Sequence, residues 1–165
     1  MIQYDVNFGR KLAEVANALT IQEDRLDLAT KQTIAYLSLL SIEISLKAIL
    51  EKAGVPQAAI RAHSHKLADL LREVCKCEVS VNLTSEDKNW VSAVRLRAIP
   101  VFVEITQSTI GEIVDSSEND ASKYPNQIRY GNGLRHFPPE ALAQAAIKIV
   151  EFAIAHWEHV RLRQE

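Results

Sequence analysis

Residues 34–54, IAYLSLLSIEISLKAILEKAG, constrain this chain more than any other stretch. Ile34, Leu37, Leu39, Leu40, Ile42, Ile44, Leu46, Ile49 and Leu50 point in almost every direction around a helical turn of about 3.6 residues. A helix apolar on nearly all sides belongs in the middle of a bundle, not on its rim. Its few polar residues therefore stand out. Glu43 and Lys47 are four apart, share one face and can pair, with Glu in the favourable N-terminal place. Gly54, with Pro56 two residues on, reads as a helix stop.

Around that centre the spacing predicts further helices. Phe8, Leu12, Val15, Ala16 and Leu19 make one apolar stripe on a helix over 7–19. After a break at 20–24, a long helix continues from 25 to 53. Residues 54–64 read as a loop or short turn, and Ser64 is a candidate N-cap for a helix over 65–76. The alternating EVSVNL at 78–83 has no evident partner and reads as an extended linker. Thr84 and Asp87 resemble a capping box ahead of a helix carrying Trp90, Val91, Val94 and Ile99. Pro100 must kink or end that helix, which resumes over 101–114 with Phe102, Ile105, Thr109 and Ile113 on one face.

Residues 116–137 lack a helical period, and an unstructured stretch of that length is usually functional or disordered. It starts acidic and turns basic, with Lys123, Arg129, Arg135 and His136 and no carboxylate between Asp120 and Glu140. Pro138-Pro139-Glu140 opens a last helix running to about residue 163, with Leu142, Ala145, Ala146, Ile149, Phe152, Ala153, Trp157 and Val160 as its buried stripe. The expected fold is all-α: a single domain over 1–165, an up-and-down bundle of about five main helices.

Nineteen basic against twenty-one acidic residues give a net charge of −2, so no global basic field draws nucleic acid and any RNA contact must be local. Cys75 and Cys77 suit neither a closed zinc site nor a disulfide framework, and two free thiols point to a reducing cytosol. No basic region followed by an apolar run marks a signal peptide, and serines, Glu43 and Lys47 interrupt the central helix. The expectation is a cytoplasmic protein that does not insert in a membrane. His63-x-His65 and His156-x-x-His159 each supply two potential metal ligands where a site needs three, with no carboxylate or cysteine placed to complete either. The latter pair reads as surface or interface residues. Glycine-rich phosphate loops, G-x-S-x-G and H-E-x-x-H are missing from the sequence, and neither metal nor cofactor is expected.

The helix AYLSLLSIEISLKAIL, then a glycine, then His63-Ser-His-Lys-Leu67, resembles the HEPN domain over roughly residues 8–75, with Tyr124-Pro125 and Arg129-Tyr130 as later echoes. The resemblance implies an all-helical fold and a homodimer. It also implies a nucleotide- or RNA-binding role in toxin–antitoxin or defence systems, beside a nucleotidyltransferase or antitoxin partner.

Two sites follow from it. Arg129 and His136 have the order and spacing of the pair used by HEPN ribonucleases, which would make the chain a metal-independent endoribonuclease. Histidine suits proton abstraction from the 2′-hydroxyl, and arginine's fork suits the phosphate. Against this, Gly131 and Gly133 make a poor helix, and Tyr130 stands where active members carry a small polar residue. The plainer alternative has Arg129 paired with a carboxylate to pin the loop. The second site is a groove of Lys47, Glu43, His63, His65, Arg129 and Tyr130 that binds without cleaving, Tyr130 stacking a base. Its alternative is a structural Glu43–Lys47 ion pair in a helical scaffold without a site.

Overall fold

The structure is a computed structural model that describes residues 3–21, 26–81, 89–103, 106–119 and 137–163. Two aspartates set where its first helices begin. The Asp5 carboxylate accepts from Asn7 N–H at 2.8 Å, opening α1 (Val6–Ile21). Asp27 Oδ1 accepts from Thr30 N–H at 2.6 Å and caps α2 (Leu28–Lys52). Gly54, at φ +94°, then turns the chain in a conformation side chains resist. The central helix is as expected: Ile34, Ile42, Leu46 and Leu50 are wholly buried. By length and composition α2 could cross a membrane, yet 72% of that window is buried inside the fold, which marks a core helix.

From Gly54 onward the chain departs from expectation. The stretch read as a loop holds a short helix, α3 (Gln57–Ala62), begun by Pro56. Helix α4 (Leu67–Cys75) starts after Lys66, not Ser64. Ser64 instead takes a left-handed φ of 50°.

The larger correction is to fold class. Helix occupies 68% of the described residues, but five strands form two antiparallel sheets, so the fold is mixed α/β and not all-α. The stretch read as a linker is β1 (Cys77–Ser80), which pairs with β2 (Trp90–Ser92). The helix expected next is a 3-10 turn, Ala93–Ala98. The helix expected over 101–114 is a hairpin, β3 (Pro100–Val103) and β4 (Thr106–Thr109), followed by α5 (Ile110–Asn119). Helix α6 (Pro139–Ala155) begins at the double proline as predicted but stops eight residues short of 163. The chain then adds β5 (Val160–Leu162) to the free edge of β1, for the order β2-β1-β5.

Side chains knit that sheet together. Glu78 lies opposite Arg161, whose Nε and Nη2 donate to Glu78 Oε2 at 3.1 and 3.0 Å. The same guanidinium stands 4.0 Å from the Trp90 ring centroid.

Helix α1 turns inward only part of the predicted stripe, keeping Ala16 and Leu19 against the core. Val6, Gly9, Ala13 and Ala16 are buried, whereas Phe8 is 52% and Val15 42% exposed. The physical reason lies on α2, where Ser38, Ser41 and Ser45 are buried at helical spacing. Small residues on both helices allow close approach, and Ser41 Oγ donates to the Gly9 carbonyl at 2.6 Å. A β-carbon on Gly9 would lie 2.6 Å from Ser45 Oγ. Helix α2 is thus enclosed by α1, α4 and α6.

Candidate functional site

The polar face of α2 carries an ion pair out of water. Lys47 Nζ donates to Glu43 Oε1 at 2.7 Å, with the two residues only 7% and 5% exposed. Such burial is tolerable only when the remaining polar atoms find partners. Glu43 Oε2 meets His65 Nδ1 at 2.9 Å. A carboxylate facing an ammonium can only accept, so Nδ1 carries the proton and the acceptor lone pair falls on Nε2. The imidazole thereby has a set tautomer and orientation, while its side chain is 53% exposed.

Local backbone geometry brings this histidine back to α2. Ser64, in the left-handed region, turns the chain between α3 and α4, and Lys66 N–H closes the turn on His63 O at 2.9 Å. A residue with a β-carbon held there costs about 1–2 kcal/mol, and such strain concentrates where a side chain must be aimed.

The N-terminal segment completes the site. The Tyr4 ring covers Lys47, with Nζ 5.5 Å from its centroid. Glu51 anchors that segment by accepting from Gln3 N–H and Tyr4 N–H, each at 2.9 Å, and from Gln57 Nε2 at 2.8 Å. Burial raises the Glu51 pKa, but the Tyr4 and Gln3 amides and the Gln57 side chain outweigh it and hold the carboxyl below its ordinary range. Glu43, Lys47 and Glu51 lie at i, i+4 and i+8, so a place for Glu51 was readable from spacing. Nothing in the sequence pairs Tyr4 with Lys47.

Of the predicted residues, the structure brings together Glu43, Lys47 and His65. His63 is half-buried at the end of α3, two residues from the triad. Arg129, Tyr130 and His136 lie outside the described residues, as do Thr84 and Asp87.

The other candidates recede. Among the described residues no cluster of three His, Cys, Asp or Glu side chains could hold a metal. Burial pushes the Cys77 thiol up to about 11, with Glu73 and Cys75 adding to it, and burial raises Cys75 too. Neither is a thiolate near neutrality. His156 is half-buried: Nδ1 lies 3.2 Å from the Ser80 carbonyl of β1, and its ring tilts against Phe152 at 4.6 Å.

Burial lowers the His156 pKa from 6.5, with the Ser80 contact opposing and Arg95 and His159 reinforcing the shift. The sign follows from linkage. The unfolded chain takes up this proton first as pH falls, so stability from neutral His156 is full above 6.5 and declines below it. Urea unfolding at pH 7.5 and 5.5 checks this. The parent should lose stability between the two, and His156→Gln should lose less.

Comparison with models of known protein families, with curated proteins and with solved structures found no match for this chain.

Proposed function

We propose that this chain is a nucleotide- or RNA-binding module of the HEPN type, with His65 as the contact that Glu43 and Lys47 orient. The observation carrying this reading is a buried carboxylate that serves an ammonium with one oxygen and an exposed imidazole with the other. Burying an ion pair is costly, and a hydrophobic pair of the same volume would hold a core at least as well. Its use here is to hold one histidine in one tautomer at the surface.

The surroundings suit a phosphate. Residues 52–68 hold Lys52, Arg61, His63, His65 and Lys66 and no carboxylate, a local basic segment in a chain whose net charge is −2. Arg61 and Lys66 are exposed, as His65 is. With Nδ1 committed to Glu43, Nε2 presents an acceptor to a ribose hydroxyl or, when protonated, a donor to a phosphate oxygen. The resemblance lies in the sequence of residues 8–75, which ends before the first strand. A homodimer in the cytoplasm, working with a nucleotidyltransferase or antitoxin partner, belongs to the same proposal and rests on the resemblance alone.

Fluorescence anisotropy with a labelled single-stranded RNA, in EDTA and at two salt concentrations, tests it. The parent should bind in a salt-dependent manner, and His65→Ala, a change at an exposed side chain, should weaken binding at least about tenfold, as loss of a charge-assisted contact implies. Equal binding by the two proteins would remove His65 from the interface. Analysis of the same RNA on a gel reports whether it is also cut.

A further inference from the structure

Lys47, the one cation inside the site among the described residues, is only 7% exposed, and what hides it on one side is the segment just before α1. We infer that residues 3 and 4 form a strap that closes the Glu43–Lys47 site and is released to admit an anionic group. The inference rests on the proposed function for the identity of that group, a phosphate, but not for the existence of the strap.

The geometry separates the strap from the helix it precedes. Asp5 is committed to α1: its carboxylate accepts from Asn7 N–H and its carbonyl from Gly9 N–H at 3.1 Å. Chain movement is therefore confined to the residues before it. Gln3 and Tyr4 are held by a different set of contacts, on α2 and α3. Both amides reach the single carboxylate of Glu51, Arg61 Nη2 reaches Gln3 Oε1 at 2.7 Å, and the Tyr4 ring lies over the Lys47 ammonium.

Three of these contacts are polar and near the surface, the class that opens at low cost, whereas the Glu43–Lys47 pair beneath is deep. Glu51 is the latch: removing one carboxylate unfastens both backbone amides at once. A competing phosphate would draw Arg61 away from Gln3 and replace the Tyr4 ring over Lys47 with a full negative charge, a stronger partner for an ammonium than a ring face.

The test reads the strap without any ligand. Parent, Tyr4→Ala and Glu51→Gln are pulse-labelled with an amine-acetylating reagent, and Lys47 modification is quantified by mass spectrometry against Lys52 in the same chain, with circular dichroism confirming the fold. Both variants should acetylate Lys47 at least tenfold faster than the parent while Lys52 is unchanged. Tyr4→Ala leaves the backbone contacts to Glu51 in place, so it decides the matter should Glu51→Gln unfold. Parent-like labelling of Lys47 in the folded variants overturns the strap. Inorganic phosphate is then titrated into the parent and Tyr4→Ala. In Tyr4→Ala, protection of the uncovered Lys47 by phosphate with no RNA binding would sustain the strap while defeating the proposed function, and no effect of phosphate on Lys47 would overturn its release by an anion.

Discussion

Glu43→Leu should lower the stability of this protein by about 3–5 kcal/mol, the typical cost of leaving one member of a buried ion pair alone. Lys47 would then sit 7% exposed with no opposite charge among its described partners except through rearrangement. Urea unfolding followed by circular dichroism at neutral pH measures the loss. Lys47→Met should cost less, because Glu43 keeps its contact with His65. The double substitution Glu43→Leu, Lys47→Met should return to within about 1 kcal/mol of the parent, since an apolar pair replaces both charges. It should nevertheless abolish the His65-dependent part of RNA binding. If the double variant is as unstable as the worse single one, the pair is not the self-contained unit described above.

At the contact between α1 and α2, Gly9→Leu should cost about 3 kcal/mol, at the upper end of what overpacking does to a filled interface. The clash is specific. The β-carbon alone would meet Ser45 Oγ at 2.6 Å, while the next nearest atoms are at 3.5 and 3.6 Å. Ser45 Oγ is itself buried without a hydrogen bond. The pair Gly9→Ala, Ser45→Ala should therefore be more stable than the parent by about 1 kcal/mol, through better helix propensity and removal of an unsatisfied hydroxyl. Thermal unfolding of the single and paired variants gives the coupling directly. A tolerated Gly9→Leu would mean that α1 is not seated as closely as its small residues imply.

The sequence revealed this molecule where physical causes are local. Helix α2 was legible because burial on all sides leaves an apolar signature within one stretch, and α6 because a double proline and a carboxylate mark a helix start. The strands were not, because each is three or four residues long and β1 sits between Trp90–Ser92 and Val160–Leu162, the second of them far off in the chain. The inward face of α1 departs from its apolar stripe because the large residues Phe8 and Val15 stay exposed. Close packing selected Gly9 and Ala13 instead, and of the expected stripe it kept Ala16 wholly buried.

The sequence carries one further local signal. Thr109-Ile-Gly-Glu112 is a capping box, with Glu112 N–H donating to Thr109 Oγ1 at 3.2 Å and Thr109 N–H to Glu112 Oε2 at 2.9 Å. It starts α5 in the middle of what was read as one helix. In the site, the i, i+4 spacing disclosed Glu43 and Lys47, and the polar loop disclosed His65. The strap was invisible because its grip on α2 joins residues 43 or more positions apart.

The place of β5 bears on how the protein is made. Val160–Leu162 closes the free edge of β1, and Leu162 N–H donates to the Ala53 carbonyl at 3.2 Å, where α2 ends. Helix α6, just before it, covers a flank of α2 that α1 and α4 leave open. A ribosome releasing this chain from its N-terminus therefore displays the central, buried helix long before the residues that cover it have emerged. The nascent chain must be shielded through that interval, so holdase chaperones should engage residues 34–50 during translation and let go only once residue 162 is out.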